Sequence, residues 1–134
     1  YQFDMNFYQP AMKYFEQVQK VGQVTGSTHA MLAFTPEGKF LGGTEDVGRH
    51  VALDKLIGMR AMKKWGPVVV FLSSRASYEM VQKAAVTGIE ILFAISAPTN
   101  RALRLAKECD LTLSAFCRDN RANIYNAPER LLNL

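Results

Sequence analysis

Two short apolar runs, Val68–Leu72 (VVVFL) and Ile91–Ile95 (ILFAI), constrain this chain more than any other feature. Each is too short for a core helix and apolar at every position, so each reads as a strand covered on both faces, as parallel strands between helical layers are. The segments between the runs carry a different period. Gly48–Lys64, Ser77–Thr87 and Thr99–Glu108 repeat their apolar residues at helical spacing, which predicts helices alternating with strands at Pro67–Ser73, Glu90–Ser96 and Leu111–Cys117. A short strand is predicted around Asn123–Tyr125. Upstream, Phe7, Ala11, Tyr14, Phe15 and Val18 predict a first helix over Asn6–Gln19, with Asp4 or Asn6 as cap and Pro10 confined to the first turn. His29–Thr35 and Lys39–Glu45 flank Pro-Glu-Gly and read as an antiparallel hairpin. The pattern predicts an α/β fold: a three-layer α/β/α mixed sheet, mostly parallel, with right-handed crossovers and one antiparallel edge hairpin.

Composition narrows the class. At 134 residues with 49% hydrophobic content, and without repeats or a flexible linker, the chain reads as a single domain over residues 1–134. No run approaches the roughly 18–20 apolar residues of a membrane helix, and the start lacks a secretory pattern, so a cytoplasmic protein without membrane contact is expected. The first residue is Tyr1 rather than methionine, which reads as the result of processing, truncation or disorder. Sixteen Lys and Arg against twelve Asp and Glu give a net charge of +4. The excess lies after Val51, compatible with phosphates or nucleic acid but equally with a solvated basic surface. Cys109 and Cys117 match neither a disulfide framework nor a zinc spacing and read as ordinary reduced thiols.

In open α/β sheets ligands bind beyond the carboxyl ends of the strands, where helix N-termini offer free N–H groups. The four loops expected there are polar: EDVGRH (Glu45–His50), SSRAS (Ser73–Ser77), SAPTN (Ser96–Asn100) and FCRDNR (Phe116–Arg121). Arg49, Arg75, Arg118 and Arg121 on one rim would suit phosphate or pyrophosphate, because a guanidinium fork pairs with two oxygens at once. Arginines and hydroxyls that merely cap helices and face water are the plainer alternative. Ser77, with Glu79 in the first turn, is a good N-cap on either reading.

In EDVGRHVALDK, helical spacing sets His50 one turn from Asp54 and near Asp46, so a carboxylate partner that orients the ring is expected. These groups fix the loop or touch a ligand. No glycine-rich phosphate fingerprint occurs, and no GxSxG elbow. Zinc-dependent deamination, which also uses an α/β/α sheet, is rejected: His29-Ala30-Met31 has methionine where a carboxylate is needed, and PCxxC is missing, so no metal site is expected.

These loops resemble the FdhD family, accessory sulfurtransferases of formate dehydrogenase. The matching segments are TGSTHA (Thr25–Ala30), EDVGRHVALDKLIG (Glu45–Gly58), SSRASYEMVQKAAVTGI (Ser73–Ile89), AISAPTNRALRLA (Ala94–Ala106) and LTLSAFCRDNRANIYNAPERL (Leu111–Leu131). TGS stands where TGG is usual, and Val51 where the family favours Asn; neither change removes a charged group. The resemblance implies a cytidine-deaminase-like fold without zinc and a homodimer. It also implies a role, passing sulfur from a cysteine desulfurase to the molybdenum of bis-molybdopterin guanine dinucleotide before insertion into formate dehydrogenase. GDP mimics the guanine end of that cofactor. The family's cofactor-binding stretch maps onto Phe116, Cys117, Arg118, Asp119, Asn120 and Arg121, and with the polar loops the expected binding set extends to Arg75, Ser77, Thr99, His29, Arg49 and His50.

The family's sulfur-carrying CxxC lies upstream of the first helix, and this chain contains no CxxC. The chain is therefore expected to be the C-terminal, cofactor-binding domain of a longer sulfurtransferase, inactive alone. Its own cysteines are poor substitutes: Cys109 lies beside Glu108 and Asp110, whose charges oppose a thiolate, and Cys117, between Phe116 and Arg118, is only the more plausible thiolate of the two. Two other classes stand beside this one: a guanine-nucleotide-binding regulatory module without catalysis, and a basic nucleic-acid binder. The last lacks stacking aromatics near its basic residues apart from Phe116 and Tyr125. Phe3, Phe7 and Tyr8 exceed what one core-facing stripe needs, and are expected to add interface surface for the homodimer.

Overall fold

The computed structural model describes residues 1–19, 28–118 and 120–134. A six-stranded sheet carries the fold, built from β2 (His29–Phe34), β3 (Phe40–Asp46), β4 (Val69–Leu72), β5 (Ile91–Ala94), β6 (Thr112–Arg118) and β7 (Arg121–Ile124), in the order β3-β2-β4-β5-β6-β7. A small parallel ribbon pairs β1 (Phe3–Asp4) with β8 (Leu131–Leu132), so these two segments, far apart in sequence, lie side by side.

Helices α3 (Arg49–Lys63), α4 (Tyr78–Val86) and α5 (Asn100–Glu108) pack on one face of the sheet. The opposite face is covered by the N-terminal segment: a 3-10 turn at Met5–Phe7, then α1 (Tyr8–Met12) and α2 (Tyr14–Val18). Alternation along each strand feeds both faces. Val70 and Leu72 of β4 enter the first cluster, and Val69 and Phe71 enter the second, which is why the apolar run has no polar position.

The expected sheet is corrected in one respect. Three of its five pairings, β2 with β3, β2 with β4, and β6 with β7, are antiparallel, and only β4–β5 and β5–β6 are parallel. The hairpin does lie at the edge, but its inner strand joins β4 in the opposite direction. As a result β3, β4, β5 and β6 all point the same way. The hairpin turn uses Gly38 at φ 89, a left-handed conformation that suits glycine.

The single first helix is also corrected. Pro10 has no N–H to return to the preceding turn and its ring crowds the carbonyl there, so a 3-10 turn precedes α1. Separately, Lys13 interrupts the helix between α1 and α2. Phe3 and Tyr8, expected as interface surface, are core instead, with 0% and 4% exposure; only Phe7 is open to solvent. Among the described residues no helix is long and apolar enough to cross a membrane.

Candidate functional site

Because β3 to β6 run in one direction, the loops that follow them emerge at a single end of the sheet, together with the start of β2 at His29. The strand order then sorts the residues. Four strand steps separate β3 from β6, about 19 Å at normal strand spacing, so Arg49 and His50 lie at one side of the rim and Arg118 and Arg121 at the other. Thr99 follows β5, next to the β6–β7 turn, and Arg75 and Ser77 follow β4, one strand farther along. His29 sits between the two groups and faces Asp46 across the hairpin.

The central loops are laced together by backbone. Ala76 and Pro98 form a parallel bridge, and the Thr99 N–H donates to the Ala76 carbonyl at 3.1 Å. Each loop then opens a helix with a hydroxyl cap. The Ser77 hydroxyl accepts from the Met80 N–H at 3.4 Å, and the Thr99 hydroxyl from the Ala102 N–H at 3.1 Å. The Ser77 cap is as expected, and the two caps direct the positive ends of α4 and α5 to the rim. The Arg101 guanidinium lies 4.6 Å from the centre of the Tyr78 ring and ties the two helix starts together. One further hydroxyl fastens the base of the rim: Ser73 Oγ accepts from the Ala30 N–H at 2.7 Å, joining β4 to β2.

The C-terminal strand pair brings its arginines to this place by a distortion. A register shift between Ala115 and Arg118 marks a bulge, and within it Phe116 adopts φ 52, costly for a bulky L-residue, and points its ring outward. Arg118 resumes the pairing opposite Arg121. Its Nη1 donates to the Ile95 carbonyl at 3.1 Å and to the Cys117 carbonyl at 2.9 Å, which leans the guanidinium over the end of β5. Nε and Nη2 take no part in these contacts. Asn120 and Arg121 are exposed, and Asp119 lies outside the described residues, as do Thr25 to Ser27 of the TGSTHA segment.

Cys117 turns the other way. It is buried among the aromatic residues under the sheet, and desolvation pushes its thiol up to about 11. A thiol in that environment stays protonated at neutral pH, in keeping with its reading as an ordinary reduced thiol, and only its backbone meets the rim. Cys109 is exposed at the end of α5, at the far end of the sheet from the arginines.

The acids around His50 are committed elsewhere. Asp54 pairs with Lys83 of α4 at 2.9 Å, and Asp46 binds Lys55 at 2.6 Å and accepts from the Gly48 N–H at 3.0 Å. The hydrogen bond from Lys55, helped by the Gly48 amide, holds Asp46 below the usual carboxylate range. The expected carboxylate partner of His50 is therefore corrected: the acids brace the loop and the helix pair. A hollow of about 740 Å³ lies at the other end of the sheet between Tyr1, Thr35 and Trp65, away from the arginines. Among the described residues no group of acids, histidines and cysteines is placed to hold a metal.

Sequence reasoning missed Tyr8. Its hydroxyl reaches the carbonyls of Arg118 and Arg121 at 2.7 and 2.9 Å, a contact between residues 110 and 113 positions apart that no local pattern announces.

The fold and rim define a helix-flanked α/β domain that gathers polar, arginine-bearing loops at one end of its strands. The chain belongs to the FdhD/NarQ family, which it matches over residues 1–132. It is also similar to a solved structure described as a formate dehydrogenase accessory protein from Desulfotalea psychrophila, with 31% sequence identity and a TM-score of 0.93, over 98% of this chain and 60% of that one. The chain thus spans about 60% of the length of that relative.

Proposed function

We propose that this domain is the part of a formate dehydrogenase accessory sulfurtransferase that binds the guanine nucleotide end of bis-molybdopterin guanine dinucleotide, the substrate that receives sulfur. The carrying observation is the joint placement of Arg75, Arg118 and Arg121 with the starts of α4 and α5 at one end of the sheet. That set suits a polyanion: guanidinium forks grip phosphate oxygens, and helix N-termini add N–H donors and a favourable dipole. The exposed Phe116 ring beside them offers a face for a base. Arg49, His50 and His29, farther along the rim, are assigned to the remote part of a long ligand. Family membership and the accessory-protein neighbour support the role in formate dehydrogenase maturation.

The sulfur-carrying step is assigned to a thiol this chain does not contain, since Cys117 is buried and protonated and Cys109 lies far from the rim. The same observation favours, as the second reading, a guanine-nucleotide-binding regulatory module without catalysis. A cysteine desulfurase as donor, formate dehydrogenase as recipient, a homodimer and a cytoplasmic location complete the proposal. So does a three-layer, cytidine-deaminase-like arrangement, which the helices on one face and the N-terminal segment on the other support.

Titration calorimetry with GDP tests the binding half. Saturable binding that weakens with salt is expected, with guanosine binding at least tenfold more weakly because it lacks the phosphates. Equal affinity for GDP and guanosine would remove the arginine rim from the reading, and no binding of either would remove the nucleotide.

A further inference from the structure

Tyr8 joins two parts of the molecule that otherwise have little in common. Its ring belongs to the aromatic cluster, with centroids 6.0 Å from Phe71 and 5.5 Å from Phe93. Its hydroxyl leaves that cluster and points at the backbone of the β6–β7 turn, 2.7 Å from the Arg118 carbonyl and 2.9 Å from that of Arg121. A phenol has one proton to donate, so the two carbonyls share it and are drawn to a common point. These are the residues that face each other where the strand pairing resumes after the bulge. A hollow of about 400 Å³ flanks the turn here, between Tyr8, Gln9, Asn120 and Arg121, so side-chain packing holds this side of the turn only in part.

Phenylalanine would fill the core as well as tyrosine does. The hydroxyl serves the turn, and it also meets the Cys117 side chain one residue before Arg118. Tyr8 is itself buried, and its hydroxyl is turned to the backbone carbonyls of the turn. We propose that Tyr8 is a positioning residue: its hydroxyl fixes the backbone of Arg118 and Arg121 so that both guanidinium groups are presented together to one anionic ligand. The proposal rests on the reading of the rim as an anion site. Its physical content is preorganisation. A turn free to move would spread the two forks over many orientations, and a ligand would have to restrict them as it bound.

Tyr8→Phe is the direct test because it keeps the ring. The expected result is a GDP dissociation constant about tenfold weaker, with faster amide hydrogen exchange at Arg121 and Asn123 before any ligand is added. In an Arg118→Ala/Arg121→Ala background the same change should leave residual GDP affinity unaltered, since nothing remains to position; a merely structural tyrosine would weaken both backgrounds alike. Tyr14→Phe, a tyrosine stacked on Phe40 away from the turn, is the control and should match wild type in both measurements. Unchanged exchange and unchanged GDP affinity in Tyr8→Phe would overturn the proposal while leaving the rim intact. Failure of the wild-type chain to bind GDP would instead overturn the rim reading and the ligand half of the proposal, and the exchange comparison would still decide whether Tyr8 holds the turn.

Discussion

The two faces of the sheet are built by opposite strategies. Under α3, α4 and α5 the core is aliphatic and small, with Ala52, Ala84, Ala102 and Ala106 letting the helices approach the strands closely. On the other face Phe3, Phe34, Phe71 and Phe93 form a connected aromatic cluster, in which Phe71 and Phe93 stack at 4.6 Å and Phe3 and Phe34 meet Phe71 edge-on. The helices of the aliphatic face each follow the strand before them. The aromatic face draws on residues from both ends of the chain, Phe3 and Tyr8 with Cys117 and Leu131. Local order builds one side, then, and long-range closure builds the other.

The largest effect should come from the aromatic hub. Phe71→Ala removes a fully buried ring at the centre of that cluster and is expected to cost about 3–5 kcal/mol in denaturant unfolding. Ala84→Gly on the aliphatic side, which opens little space within a helix, should cost about 1 kcal/mol. A larger loss for Ala84→Gly would reverse the comparison.

Cys117 tests how dry the aromatic face is. Its thiol is raised from 9.0 to about 11, so the folded state keeps the proton after the unfolded chain has lost it. The sign follows: the contribution is intact below about pH 9 and is lost as pH climbs from 9 to 11, by about 2–3 kcal/mol in all. The measurement is the difference in stability between wild type and Cys117→Ala across that window, which should shrink at high pH. A constant difference would mean that water reaches the thiol.

The rim should be nearly independent of both faces. Arg118→Ala or Arg121→Ala is expected to weaken GDP by about one to two decades, as loss of a charge-assisted hydrogen bond implies. Ligand-free stability should change by no more than about 0.5 kcal/mol for Arg121→Ala. Titration calorimetry at fixed salt with parallel unfolding curves checks both. A stability loss from Arg121→Ala as large as that from Phe71→Ala would show that the rim is part of the core.

The caps contribute modestly to stability. Ser77→Ala and Thr99→Ala each free one first-turn N–H and should cost about 1 kcal/mol, with Ser77→Gly closer to wild type. Thermal unfolding resolves this, and an equal loss for Ser77→Gly and Ser77→Ala would assign the serine a role other than capping.

What the sequence made legible divides along the same line. The runs at Val68–Leu72 and Ile91–Ile95, the hydroxyl at Ser77 and the helix start at Thr99 are local signals, and β4, β5, the Ser77 cap and the start of α5 stand where those signals put them. The direction of β2 is not local: a fully apolar strand looks the same in either orientation, and only its partner decides. Asp54 likewise had a plausible partner one turn away in His50, but Lys83 on the neighbouring helix is the stronger cation and lies within 2.9 Å. The left-handed Phe116 follows from the bulge that Arg118 and Arg121 close, a matter of register between two strands. At the site, the arginine loops could be read one by one, but their order along the rim came only with the strand order.

The β1–β8 ribbon carries a consequence for the route to the folded state. Gln2 and Glu129, 127 residues apart, meet beside it. Bringing the ends of so long a loop together from an open chain costs about 4 kcal/mol of entropy, more than two paired residues repay. The ribbon gains its stability only after the six-stranded sheet has drawn the ends near. Until then Phe3 is not in place over Phe71 and Phe93, and the part of the aromatic side that it covers faces water. That side, rather than the helix-covered one, is the surface on which two unfinished chains would adhere.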